Sequence, residues 1–223
     1  MNRPSPTMLQ TYSGRYVDLL EPDIKTLDFE DAAIHLAATN RFNGATRFDG
    51  AACLYSVAQH IIIGTEEFLR MQKLAEARAF LLHDVHEYLI GDDTRPKRMA
   101  LISAIAREIA PDSPDAYRAV RRAEAAFRSR IDAAIHVLAG VPWPLTPPVA
   151  LAVDAMDCRL LHTEKRDLMI DVGPWGDDVE EASPLDQRIV PWPSPIARAR
   201  LAQLFRCLLP ALADPAKTEK SQW

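Results

Sequence analysis

The stretch FLLHDVHEYLIGDD, residues 80–93, decides how this chain is read. It continues a run rich in Ala and Leu, so the pattern predicts a helix over residues 75–90 that Gly91 stops. On that helix His83 and Asp84 set a neutral nitrogen ligand beside an anionic oxygen ligand. Neighbours on a helix point about 100° apart, so both reach one ion only where the helix edge grazes a site, and further ligands must come from other helices. Glu87 lies on the face they share and is placed to act as an acid or base there. A His-Asp pair is equally an ordinary structural feature, a buried imidazole bonded to a carboxylate. The rest of the chain has to decide.

Outward from this segment the pattern is helical. Asp28 caps a first helix, with Asp31 favourable to its N-terminus, Ala33, Ile34, Ala37 and Ala38 as its apolar stripe, and Asn43-Gly44 as its end. A second opens at Ser56 and carries His60 beside Ile61. Residues 92–98 read as a polar turn containing Pro96, residues 99–110 as a short helix, and residues 114–138 as a longer one. In the longer helix, acidic residues alternate with arginines, which marks a solvated or partner-facing surface. After the connector GVPWPLTPP, residues 149–169 return to helical period with Asp154, Asp157, His162, Glu164 and Asp167. Residues 171–195 form a Pro- and Trp-rich loop expected to pack its tryptophans onto the domain, and residues 196–212 a last amphipathic helix. Strand signal is weak throughout, with one small strand expected near residues 16–20. The fold class is therefore all-α, a single helical bundle. Its parts are a lead-in (1–27), a core (28–170), a loop and C-terminal helix packed on the core (171–213), and a flexible tail (214–223).

At 223 residues one domain is the default. With 48% hydrophobic residues, 26% charged and a net charge of −5, the composition is that of a soluble globular protein and carries no basic excess for a nucleic-acid polymer. Cys53, Cys158 and Cys207 are odd in number and far apart, which gives neither a disulfide framework nor a metal clip and fits a reducing cytoplasm. No apolar run suggests a signal peptide or a membrane span.

Four candidate ligands fall on three predicted helices: His60, the His83-Asp84 pair, and Asp157. Two imidazoles and two carboxylates suit one divalent ion of Co, Mn, Zn, Ni or Fe, with coordination positions left for water or a phosphate oxygen. Spacing alone does not single these four out.

The motifs RFNG (41–44), YSVAQH (55–60), HDVHE (83–87), Gly91-Asp92 with Pro96 beyond, and VDAMDCRLL (153–161) ending in TEKRDLM make the chain similar to a known family. It resembles the HD-domain metal-dependent phosphohydrolases, in particular the branch of bacterial 5'-deoxynucleotidases and phage-type deoxynucleotide hydrolases. The resemblance implies an HD-domain helical bundle whose metal ligands are His60, His83, Asp84 and Asp157, with Asp154 the rival for the last. It further implies a catalytic carboxylate at Glu87, a phosphate-binding arginine at Arg41 and a substrate-site aspartate at Asp92. Arg98 is a second candidate for the phosphate. The structural alternative for Arg41 is a cation at the end of the first helix.

Two departures stand out. The turn after Gly91-Asp92 reads Asp93 to Arg98 where relatives carry an apolar residue, prolines and a lysine, and His86 fills a slot that is often small or proline. The expected activity is release of the 5'-phosphate of a (deoxy)nucleoside monophosphate, in a homodimer or larger homo-oligomer with the terminal helix and Trp loop as interface material. Alternatives are a deoxynucleoside triphosphate triphosphohydrolase using the same site and a non-catalytic nucleotide-binding module. An alarmone pyrophosphohydrolase shares the fold but finds no support in the RFNG and Gly-Asp segments. His35, His136 and His162 are expected to be surface or core histidines.

Overall fold

Local signals place most helix ends. The computed structural model describes residues 5–173, 175 and 181–212, and the expected tail at 214–223 lies outside them. In chain order the helices are α1 (Phe29–Ala38), α2 (Val57–Arg70), α3 (Leu74–Leu82), α4 (Glu87–Ile90), α5 (Arg95–Ile109), α6 (Pro114–Ala139), α7 (Pro147–Leu168) and α8 (Ser194–Leu208). Asp28 accepts from the backbone N–H groups of Glu30 and Asp31 at the start of α1, and Ser56 Oγ accepts from Gln59 at the start of α2. Each such cap contributes about 1 kcal/mol. Gly140, at φ 70°, closes α6 in the left-handed conformation.

The architecture is predominantly helical, as the pattern predicted. Among the described residues the strands form two antiparallel hairpins. In the first, β1 (Met8–Gln10) pairs with β2 (Tyr16–Asp18), so the lead-in has two strands where one was expected. In the second, β3 (Thr46–Phe48) pairs with β4 (Ala51–Cys53). Its turn, Asp49-Gly50, has both residues at positive φ, the backbone that Asp-Gly hairpin turns favour.

Two apolar clusters make the core, and α2 contributes to both. Val57, Ala58, Ile61 and Ile62 pack with α1, α8 and the C-terminal half of α6. Ile63 and Phe68 pack with α3, α7 and the chain around Leu185 and Ile189. Where α2 meets α3 the backbones approach closely, and a Cβ on Gly64 would lie 2.2 Å from Phe80 Cε1. Only glycine fits there.

Four helical expectations need correction. Helix α1 ends at Ala38, not at Asn43-Gly44, and residues 41–44 form a separate turn in which Phe42 and Asn43 have positive φ. The buried face of α1 is Ala32, Ala33, Leu36 and Ala37, while Ile34 is half-buried and Ala38 exposed. Phe29 and Leu36 are the large apolar side chains on the core side, and their burial turns the stripe by one residue. The predicted helix over 75–90 breaks at residues 83–86, where Val85 N–H bonds Leu82 O (3.1 Å) and Glu87 N–H bonds Asp84 O (3.1 Å). These are the tighter i to i−3 bonds of 3₁₀ winding. Residues 95–98, expected as a turn, already belong to α5, because Pro96 occupies the first turn of a helix, where its missing N–H costs nothing.

Among the described residues before α8, the buried side chains packed against the core are aliphatic. Leu185 and Ile189 are buried, and Leu185 N–H bonds Thr163 Oγ1 (2.8 Å) and Ile189 N–H bonds Asp167 Oδ2 (2.7 Å). The apolar face of α8 is used inside the chain: Ala197, Leu201, Ala202 and Phe205 are buried, with Phe29 and Phe205 at 4.7 Å between ring centroids. That face is therefore not the exposed interface material the sequence suggested. No helix among the described residues is long and apolar enough to cross a membrane.

Candidate metal centre

Four elements bring the predicted ligands together: α2 supplies His60, the turn after α3 supplies His83 and Asp84, α7 supplies Asp157, and the 3₁₀ turn Arg41–Gly44 adds Arg41. His60 Nε2 lies 3.2 Å from His83 Nε2 and 3.2 Å from Asp157 Oδ1. Asp84 Oδ2 lies 3.1 Å from His83 Nε2 and 3.7 Å from His60 Nε2, and His83 Nε2 lies 4.0 Å from Asp157 Oδ1. Ligand bonds of about 2.0–2.1 Å give polyhedron edges of about 3.0–3.4 Å, a range that the 3.1 and 3.2 Å separations meet and the 3.7 and 4.0 Å ones exceed.

The imidazoles are oriented from behind. His60 Nδ1 meets Glu164 Oε1 at 2.7 Å and His83 Nδ1 meets Phe80 O at 2.7 Å, which turns both Nε2 atoms to the same point. Two nitrogen lone pairs at 3.2 Å repel unless a cation joins them. Burial and Arg41 pull the His60 pKa down, but Glu164 and Asp157 outweigh them and hold it up at about 9. Burial would raise Asp84, yet His83, His60 and Arg41 hold it well below its ordinary value. Asp157 is likewise lowered, against burial, by its bond to His60. The donor set therefore fits a divalent cation, and His60, His83 and Asp84 form a group that could hold one. Asp154 is exposed on the next turn of α7, so the geometry favours Asp157 as the fourth ligand.

Arg41 is buried and tied into the same network, with Nε bonded to Glu164 Oε2 at 3.1 Å and Nη1 3.4 Å from Asp84 Oδ2. Burial opposes its charge, but Glu164, Asp157 and Asp84 more than compensate and hold it protonated. Glu87 stands beside Asp84, and burial, with Asp84 and Asp92 as like charges, pushes its carboxyl up to about 10. Asp92 is half-buried, and burial, with the Asp84 charge, raises it against the pull of Arg41. No hydrogen bond or ion pair among the described residues joins Arg98 to this cluster, and Lys97 pairs with Asp93 at 3.0 Å. The basic turn expected there is helical, and its charges are placed accordingly.

Glu164 is the residue that sequence reasoning left without a role. It is fully buried and bridges His60 and Arg41, with Tyr55 beside it, whose phenol burial and the Glu164 charge raise well above its ordinary pKa. Its signal was present: seven residues beyond Asp157 is two turns along α7 on one face. The remaining histidines behave as expected where their contacts are described. His35 accepts from Tyr12 N–H and donates to Tyr88 O, and His136 lies against Pro142 O and the Trp143 ring. His86, by contrast, is buried against Asp132 and does not face solvent.

Among known proteins, no family model matches the chain. An uncharacterised protein of Rhodobacter capsulatus is 33% identical over 148 residues, which is 65% of this chain and 64% of that protein. The chain thus matches slightly under two thirds of that relative's length.

Proposed function

We propose that the chain is a metal-dependent phosphohydrolase of the HD type that releases the 5'-phosphate of (deoxy)nucleoside monophosphates. The observation that carries this reading is the convergence of His60, His83, Asp84 and Asp157, with Glu164 orienting His60 and Arg41 alongside. These four side chains would hold the ion, which when bound supplies Lewis acidity and makes water a nucleophile near neutral pH.

The chain's own groups do the rest. Arg41 keeps donors on its terminal nitrogens for a phosphate oxygen, while Nε stays committed to Glu164, so the guanidinium is fixed in place before substrate arrives. Charge that builds on the phosphoryl oxygens meets a preorganised cation. Glu87, buried beside Asp84, is placed to donate a proton to the departing 5' oxygen. A carboxyl that is neutral at pH 7 is the form this step needs.

Replacing His83 or Asp84 by alanine abolishes turnover and metal content together, whereas Glu87→Ala retains metal and loses rate, by about 10²–10⁴-fold. Metal analysis of the purified variants separates these cases. The reading itself is tested by incubating metal-loaded protein with deoxy- and ribonucleoside mono- and triphosphates and resolving the products. Orthophosphate and nucleoside from a monophosphate are expected. Tripolyphosphate from a triphosphate would move the activity to the triphosphohydrolase class, and no hydrolysis of any of them would overturn the reading.

A further inference from the structure

Glu87 sits on a part of the fold that cannot hold itself in place. It follows the break at residues 83–86, where the winding rests on i−3 bonds, and it opens α4, a helix of four residues. Such bonds have poorer geometry than those of an α-helix, and one turn is far below the roughly 12–15 residues at which a helix becomes stable alone. The side chain adds no anchor of its own. Asp84 is tied to Arg41 and stands among the imidazoles, whereas Glu87 Oε2 is buried without a hydrogen-bond partner. The direction of Glu87 is therefore set by its backbone, and its backbone by what its neighbours touch.

Val85, Tyr88 and Leu89 supply apolar packing. His86 supplies a polar contact that reaches a different helix. Its side chain is 7% exposed, and Nδ1 stands 3.0 Å from Oδ1 of Asp132 on α6. Asp132 is a firm point of attachment, because Ile131, Ala134 and Ile135 around it belong to the core and α6 runs for 26 residues. The backbone of His86 in turn starts α4, its carbonyl accepting from the N–H groups of Leu89 (3.0 Å) and Ile90 (3.3 Å). Asp84 and Glu87 each bring a carboxylate oxygen within 4.8 Å of an imidazole nitrogen of His86. One ring thus has the acid of α6 and two acids of the centre as neighbours.

We infer that His86 is a positioning residue for the reaction, clamped by Asp132 so that Glu87 holds one direction toward the departing oxygen. His86 touches neither ion nor substrate in this role. A proton donor has to lie within hydrogen-bond reach of the atom it serves, and a displacement of about 1 Å costs about 10²-fold in rate. The clamp therefore acts on kcat, and metal binding is left to the four ligands. The inference rests on the phosphohydrolase reading with Glu87 as the acid.

The test compares full-length, Mn(II)-loaded wild type with Asp132→Ala, His86→Leu, their double variant and Asp132→Asn on a deoxynucleoside monophosphate, with metal content and thermal unfolding measured for each. Asp132→Ala and His86→Leu are expected to lose about 10²-fold in kcat with KM and metal content unchanged. The double variant should lose no more than either alone, since the two side chains act as one unit. Asp132→Asn keeps an oxygen at the same place and should recover most of the rate. Unchanged kcat in either folded single variant would show that apolar packing alone directs Glu87, and would overturn the inference. Metal lost together with rate, or loss of fold in both single variants, would overturn it too, since the pair would then serve Asp84 or the fold. One arm needs no turnover: hydrogen exchange over residues 83–90 should be faster in Asp132→Ala while α1 and α8 exchange as in the wild type, and equal exchange would overturn the clamp. Wild type that hydrolyses no nucleotide would overturn the phosphohydrolase reading and leave the clamp to be decided by exchange.

Discussion

Glu164 holds the centre together from outside it. One buried carboxylate accepts from His60 on one oxygen and from Arg41 on the other, so it sets the imidazole tautomer and the guanidinium position at once. Glu164→Gln keeps the volume and removes the charge, and metal affinity should fall by about 10–100-fold in a calorimetric titration. Unchanged affinity would show that His60 is oriented by packing alone. Glu164→Ala leaves Arg41 buried without its strongest partner and should destabilise the fold by about 3–5 kcal/mol.

Asp31 has a different task. It accepts from Thr11 Oγ1 (2.6 Å), Ser13 Oγ (2.7 Å) and Ser13 N–H (3.0 Å) and ties the first hairpin to α1. Burial raises its pKa, but these bonds outweigh burial and the net shift is downward. A depressed carboxylate contributes stability that is fully present above its unfolded value, about 4, and is lost as pH falls through the folded one. Denaturant titrations from pH 6 to pH 2 should therefore show Asp31→Asn losing less stability on acidification than the wild type.

At the scale of elements, the contact between α2 and α3 governs the site. Gly64→Ala pushes into the Phe80 ring, which itself packs 4.1 Å from the His83 ring and 5.7 Å from the His60 ring, centroid to centroid. The expected cost is about 1–3 kcal/mol, with weaker metal binding, read from thermal unfolding with and without Mn(II). A neutral substitution would mean that the two helices separate freely.

The same element explains what sequence reasoning could and could not see. Asp28, Ser56 and Gly140 announce their helix ends because capping is a local interaction. The break after Leu82 has no Gly or Pro to announce it. It comes with His83 Nδ1 donating to Phe80 O and the backbone switching to i−3 bonds, contacts that no local turn signal encodes. The second hairpin is a different case, since Asp49-Gly50 is a turn signal that the sequence reading passed over.

Across the whole molecule, chain segments far apart in sequence close around α2. Gln59, next to His60, donates from Nε2 to Val190 O (2.8 Å) and accepts at Oε1 from Trp192 N–H (2.8 Å), so the Pro-rich segment is pinned to the helix that carries the first ligand. Gln59→Leu would leave both backbone groups without their partner, lowering stability by about 1–3 kcal/mol, and limited proteolysis near residues 181–193 should accelerate. His60, His83, Asp84 and Asp157 were legible only as motifs in a certain order, because three separate elements must fold before they meet. Glu164 was not, because an acid followed by Lys165 and Arg166 on a helix looks solvated until the fold buries it.

The central claim is that these four side chains share one divalent ion. Crystals soaked in Mn(II), with data collected at the manganese absorption edge, test it most directly. The account predicts an anomalous peak about 2.0–2.3 Å from His60 Nε2, His83 Nε2 and a carboxylate oxygen each of Asp84 and Asp157. Saturating metal with no peak among those four side chains would contradict it.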